Sequence, residues 1–240
     1  AVLVATLARE RDPSVSLDAD IQSEYQSLLG SLLYCATNSR PDIAYAVGML
    51  GRAMACPNAD LLERARHVLR YLRAHRDIGL QYSSSCRQPL SGMSDANWAV
   101  RHSTSGFVFQ FGQATISWSS KKQPSVALSS CEAEIMAASE ASKEAVYLRN
   151  FLEELGEGDA APLSLGVDNK AARDLAYNPE HHQKTKHIER RHFYIREIVE
   201  SGRIVVPFVA SADNLADFFT KALDGPKFFV MRDRIMNVPS

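Results

Sequence analysis

Apolar residues recur at helical spacing through Ile21–Met54, with a pause at Asn38-Ser39-Arg40-Pro41. There a capping residue and a proline suit the first turn of a second helix running from Asp42. A third helix is expected over Asn58–Arg73 and a short strand over Asp77–Tyr82. Arg9–Asp20, polar and interrupted by Pro13, has the composition of a linker, and so has Ser83–Pro89.

After Pro89 the period shortens to that of strands: Leu90–Trp98, Gly106–Phe111 and Ala114–Ser119, with Gly112-Gln113 as a hairpin turn. A long helix follows from about Ser130 to Leu155, closed by Gly156. Then come strand Leu163–Val167, helix Lys170–Tyr177, helix His187–Ser201, strand Arg203–Val209 and helix Leu215–Leu223. This order describes an α/β fold, a mixed five-stranded sheet with flanking helices, preceded by a small helical segment. The expected divisions are a linker or tail over 1–20, a helical segment over 21–82, the α/β domain over 90–223 and a helical C-terminal tail over 224–240.

Composition narrows the classes. The chain has 240 residues, 45% of them hydrophobic, enough for one large domain or two small ones. No apolar run approaches the roughly 20 residues needed to cross a bilayer, and Ala1–Glu10 lacks the order of a signal peptide. No membrane partner is expected, and the expected setting is cytoplasmic or nuclear rather than secreted. Cys35, Cys56, Cys86 and Cys131 form no C-x-x-C pair, which favours reduced structural thiols over zinc or redox chemistry. The chain starts at Ala1 and is read as a piece of something longer. A net charge of −1 leaves any polyanion binding to a local basic patch.

Four acids stand where chemistry could use them. Asp95 lies in the first strand, where alternation groups it with Met93 and Asn97; the alternative is a solvated strand face. Glu134 falls near the middle of an apolar stripe formed by Ala138, Ala141, Ala145, Leu148, Leu152 and Leu155, and a carboxylate aimed along a buried stripe is costly unless something charged meets it. The alternative is a first-turn acid complementing the helix dipole. Glu132, two residues earlier and so about 200° away around the helix, should face solvent. Asp168 ends the run Leu163-Ser-Leu-Gly-Val167, where open sheets place ligands, or else caps the next helix, with Asn169 as a rival for that cap. Asp217, three residues after Asn214, is also read as half of a capping box. Brought together by a sheet, the four would repel one another strongly without metal. Two magnesium ions would relieve this and activate water against a phosphodiester.

The chain resembles the tail of the polyprotein of copia-type LTR retrotransposons. The resemblance rests on Tyr25-Gln-Ser-Leu-Leu-Gly-Ser-Leu-Leu-Tyr34, Arg40-Pro-Asp-Ile-Ala-Tyr45, His67-Val-Leu-Arg-Tyr-Leu72 and Ser103-Thr-Ser-Gly-Phe107. It continues through Trp118-Ser-Ser-Lys-Lys-Gln-Pro124, Ala127-Leu-Ser-Ser-Cys-Glu-Ala-Glu134, Thr185-Lys-His-Ile188 and Leu215-Ala-Asp-Phe-Phe-Thr-Lys221. It implies an RNase H-like fold over roughly Leu90–Leu223, with Asp95, Glu134, Asp168 and Asp217 as catalytic, metal-binding carboxylates for two Mg2+ ions, Mn2+ being a substitute. The helical front resembles the thumb or connection segment that follows a polymerase palm. No Asp-Asp pair occurs in the chain, so polymerisation is not expected. Two departures stand out: Asn97 replaces the second Asp usual in the first strand, and the stretch from Trp98 to Ser103 is short. The loop Ala210-Ser211-Ala212-Asp213 also lacks the His that many RNases H carry there, as copia relatives generally do.

From His181 to Arg196 the chain gathers Lys184, Lys186, Arg190, Arg191 and Arg196 with His181, His182, His187 and His192. A solvated helix face, or for the histidines a zinc site or a chance cluster, is the alternative to a phosphate-contacting ridge. The positions expected to contact substrate are Asn97, Ser130, Asn169, Lys184, Lys186, His187 and Arg190. The expected activity is metal-dependent cleavage of the RNA strand of an RNA–DNA hybrid, within a reverse transcriptase polyprotein. The rival is an inactive remnant that binds nucleic acid without cutting it.

Overall fold

The computed structural model describes residues 19–84, 88–99, 102–177 and 186–238, with the backbone alone for 186–190 and 192. The chain divides into two compact units, one taking the described residues up to Gln81 and from Ala222 onward, the other Tyr82–Lys221.

The first unit is helical: α1 (Ala19–Asn38), a 3-10 turn (Pro41–Ile43), α2 (Ala44–Gly51), α3 (Ala59–Ala74) and, from the end of the chain, α7 (Gly225–Met236). Tyr25, Leu29, Val47, Leu50, Ala65, Ile235 and Met236 are buried in it. Asn58 caps α3 by accepting from the Leu61 N–H. At the heart of the unit the Asp42 carboxylate accepts two bonds from Arg40, at 2.9 and 2.7 Å, and one from the Tyr71 hydroxyl at 2.8 Å. The Arg-Pro-Asp block is thus a buried brace between the 3-10 turn and α3. The strand expected over Asp77–Tyr82 does not form. The helical unit offers no neighbouring strand, and the Gln81 N–H instead bonds the Met236 carbonyl at the end of α7.

The second unit is built on a mixed five-stranded sheet of order β3-β2-β1-β4-β5. Its strands are β1 (Ser91–Asn97), β2 (Thr104–Phe111), β3 (Ala114–Lys122), β4 (Leu163–Val167) and β5 (Ile204–Val205). The β1–β2 and β2–β3 pairs are antiparallel, and β4 runs parallel to β1 and β5 to β4. Gly112 and Gln113 both take positive φ, 57° and 67°, the requirement of the two-residue hairpin expected there. The helices are α4 (Ser130–Glu154), α5 (Lys170–Tyr177) and α6 (Lys186–Glu200). Ile135, Ala138, Ala141, Ala145 and Leu148 of α4 share a core with Phe109, Leu165, Val167 and Ile204, so the apolar stripe read from the sequence faces the sheet as far as the partly buried Leu152, while Leu155 at its end is exposed. This is the RNase H-like fold.

Two elements are shorter than their patterns suggest. The strand expected over Arg203–Val209 pairs regularly only at Ile204 and Val205, because Pro207 has no N–H for the ladder. Pairing continues only as a bridge between Val167 and Phe208, with the Val209 N–H on the Val167 carbonyl at 2.8 Å. Leu215–Leu223, expected as a helix, is a 3-10 turn over Leu215–Phe219. Its tightness is set by Asn214, whose side chain accepts from the Ala216 N–H while its amide donates to the Ser94 carbonyl.

Gly106 makes room for that turn. A Cβ at Gly106 would lie 2.7 Å from the Phe219 Cβ and 2.8 Å from the Thr220 Cγ2. Gly106→Ala should therefore cost about 1–3 kcal/mol by overpacking, read as a drop in the urea midpoint. An unchanged midpoint would show that the turn is not seated on β2. Among the described residues no helix is long and apolar enough to cross a membrane, and Cys35, Cys56 and Cys131 are free thiols; Cys86 lies outside them.

Candidate metal centre

The parallel pairing of β1 and β4 ends at Ser94 opposite Val167, so Asp95, still within β1, stands beside Asp168, the first residue past the end of β4. Asp95 is buried, opposite Gly106 on β2. Glu134 reaches the same point from the beginning of α4, where the Ala96 backbone N–H meets it. One carboxylate oxygen from each of Asp95, Glu134 and Asp168 lies within 4.8 Å of the others.

The surroundings of the three acids differ. The Thr220 hydroxyl donates to Asp95 Oδ2 and the Ser211 hydroxyl to Asp168 Oδ2, the latter at 2.7 Å. Glu134 is 7% exposed, and its Oε2 has no hydrogen-bond partner among the described residues. Burial, reinforced by the charges of Asp95 and Asp168, pushes the Glu134 carboxyl up to about 9, against the opposing pull of the Ala96 N–H and Lys221. Burial also pushes Asp95 up to about 6, although its bond from Thr220 opposes this. Three converging oxygen donors, one with an unmet buried lone pair, fit a hard divalent cation.

Asp217 falls outside this group of mutually close oxygens, although its charge still adds to the rise of the Asp95 carboxyl. It is buried in the 3-10 turn, and its Oδ1 lies 2.6 Å from the Lys221 Nζ. Burial would by itself lower the Lys221 pKa, but Asp217, Asp95 and Asp168 together raise it. Nothing in the sequence alone gives Thr220, Lys221 or Ser211 a role. The first two sit in the Leu215–Lys221 block that carries part of the resemblance, and only the fold shows that the block lands on Asp95.

The capping alternatives resolve residue by residue. Asn169 caps α5, accepting from the Ala172 N–H at 3.0 Å, which leaves Asp168 to Ser211 and the cluster. Glu132 does not face solvent as its angle from Glu134 suggests; it is buried. Ser129 accepts from the Glu132 N–H at 3.1 Å while Glu132 Oε2 accepts from the Leu128 N–H at 2.6 Å. This is a capping box one residue out of register, and its signature Ser129-Ser-Cys-Glu132 was present in the sequence. Helical angle alone misplaced Glu132, because a first-turn side chain can fold back over the helix start.

Of the expected substrate contacts, Asn97 is exposed at the end of β1 and Ser130 is exposed at the start of α4. Lys184 lies outside the described residues, and so do the side chains of Lys186, His187 and Arg190.

No protein-family model matches the chain. Over 216 residues, 88% of its length, it is 38% identical to the retrovirus-related Pol polyprotein from transposon TNT 1-94 of Nicotiana tabacum. Over 223 residues, 90% of its length, it is 37% identical to the corresponding polyprotein from transposon RE1 of Arabidopsis thaliana. The chain spans only 16% and 15% of these two relatives. Among solved structures, the foamy viral protease-reverse transcriptase in complex with RNA/DNA hybrid aligns with 88% of this chain and 29% of its own, at a TM-score of 0.50 and 12% identity, a likeness of fold. Sequence identity along nine-tenths of the chain makes retrovirus-related Pol polyproteins of plant transposons its homologues, each matched over about one sixth of its length.

Proposed function

We propose that the chain is a divalent-metal-dependent endonuclease that hydrolyses the RNA strand of RNA–DNA hybrids, as part of a transposon reverse transcriptase of the copia type. The observation that supports it most is the convergence of Asp95, Glu134 and Asp168 around the unpartnered, buried Glu134 Oε2. Those three residues would hold the ion, Mg2+ or Mn2+. Bound there, such an ion supplies an acidified water and charge stabilisation at the phosphorus. The Thr220 and Ser211 hydroxyls fix one oxygen each of Asp95 and Asp168, which orients the remaining oxygens. Asn97 and Ser130, exposed on the two elements that carry Asp95 and Glu134, would meet the sugar–phosphate backbone, where the 2′-hydroxyl distinguishes RNA from DNA.

Cleavage of an end-labelled hybrid with and without Mg2+ tests this. Metal-dependent cutting of the RNA strand alone is the expected result. Binding without cutting at any metal concentration would leave an inactive, hybrid-binding remnant.

For the basic stretch, neutralising Lys184, Lys186 and Arg190 together should weaken hybrid binding for all sequences alike. It should also flatten the plot of log affinity against log salt, by roughly one unit of slope for each phosphate that is no longer neutralised. An unchanged slope would remove these residues from the interface.

A further inference from the structure

Resting on that reading, we infer that Lys221 is a resident counter-ion that keeps Asp217 out of the ligand set, so that three carboxylates rather than four receive the first metal ion. The contact geometry carries this. Asp95, Glu134 and Asp168 present oxygens within 4.8 Å of one another, and Asp217 is not in that group. Its Oδ1 is instead held at 2.6 Å by the Lys221 Nζ, four residues along the same turn of chain. The next residue inward, Thr220, is tied twice, its hydroxyl donating to Asp95 Oδ2 and its backbone N–H to the Asp217 carbonyl. Gly106 seats the whole segment against β2. Lys221 is therefore not a loose surface cation that happens to pass by. Its backbone is anchored next to the residue that contacts Asp95, and the Asp217 carboxylate it meets is 1% exposed while its own side chain is 39% exposed. Lys221 is thus the more mobile partner, with a path to solvent. An arrangement of this kind makes Asp217 a reserve ligand, available only when the ammonium swings away. Lys221 is a positioning residue that sets how many ions the cluster holds and how tightly the second is held.

The test is a titration of the full chain with Mn2+ at fixed ionic strength, following free Mn2+ by electron paramagnetic resonance. The wild type should bind one ion clearly more tightly than a second. Lys221→Met, which keeps the aliphatic stem, should tighten the second ion on the order of tenfold, the effect of removing one adjacent positive charge. Lys221→Arg should behave as the wild type. A melting curve shows whether Lys221→Met folds. The double variant Asp217→Asn/Lys221→Met leaves no unpaired charge and supplies a second reading: its first-ion affinity should match the wild type within about threefold. A second-ion affinity unchanged or weaker in Lys221→Met overturns the inference, and so does loss of the first ion in the double variant. Either result alongside intact hybrid cleavage by the wild type leaves the nuclease reading standing. Absence of any Mn2+ binding by the wild type removes both.

Discussion

Glu134→Gln is expected to abolish metal-dependent cleavage, by about 10^3-fold or more, while making the metal-free protein more stable at neutral pH. The first part follows from removing a charged oxygen donor from a three-carboxylate cluster, where charge stabilisation of several kcal/mol is at stake. The second follows from linkage. The Glu134 carboxyl is held near 9 in the folded chain against 4.5 as its ordinary value. An acid whose folded pKa is raised favours the folded state when protonated. Its contribution is therefore fully present below about 4.5 and is lost progressively as pH rises to about 9. Glutamine, neutral throughout, escapes that loss. Melting temperatures of the wild type and Glu134→Gln, measured without metal, should nearly coincide at the acidic end and separate as pH rises, with the variant the more stable by an amount on the order of a few kcal/mol. Curves that stay parallel across this range would show that Glu134 is not a desolvated, charge-crowded acid. Glu132→Gln, measured beside it, should lose about 1 kcal/mol through its weakened cap at the Leu128 N–H and keep its cleavage activity. Loss of cutting in Glu132→Gln alone would reverse the two assignments.

Asp42→Ala should destabilise the helical unit by about 3–5 kcal/mol, the cost of breaking a buried ion pair by removing one partner. The Asp42 side chain is fully buried and Arg40 nearly so, at 11% exposure. Without the carboxylate, the Arg40 guanidinium keeps its bond from Nη1 to the His75 carbonyl at 3.1 Å, and the Tyr71 hydroxyl loses its acceptor. Burial, and then the charge of Asp42, hold the Tyr71 phenol above its usual pKa, so it serves here as a donor. Urea denaturation read by circular dichroism measures the loss, and Asp42→Asn, which retains an acceptor, should fall between. A loss under about 1 kcal/mol in Asp42→Ala would mean that water or a rearranged Arg40 replaces the brace.

Much of this protein was legible from order and spacing alone. Period-two and period-3.6 patterns located five strands and the helices around them, because each element must bury one face whatever its neighbours are. The stripe of α4 put Glu134 inside, and the run Leu163–Val167 put Asp168 at a strand end. Both depend only on local periodicity. The same logic failed for Glu132, since a capping box binds side chain to backbone without regard to the helical face. It failed for Asp77–Tyr82 as well, because a strand exists only where another strand accepts its bonds. Arg203–Val209 and Leu215–Leu223 came out shorter than their patterns for equally specific reasons, Pro207 in one and the Asn214 bonds in the other.

What tertiary structure decided was the company each acid keeps. The Ser94–Val167 register sets Asp95 beside Asp168, and the missing Cβ of Gly106 admits Phe219 and Thr220. Periodicity fixes the direction of a side chain about its own element. It carries no information on residues more than 120 positions away, such as Thr220 for Asp95, and those distant partners separate a metal-ready trio from a fourth carboxylate held by a lysine.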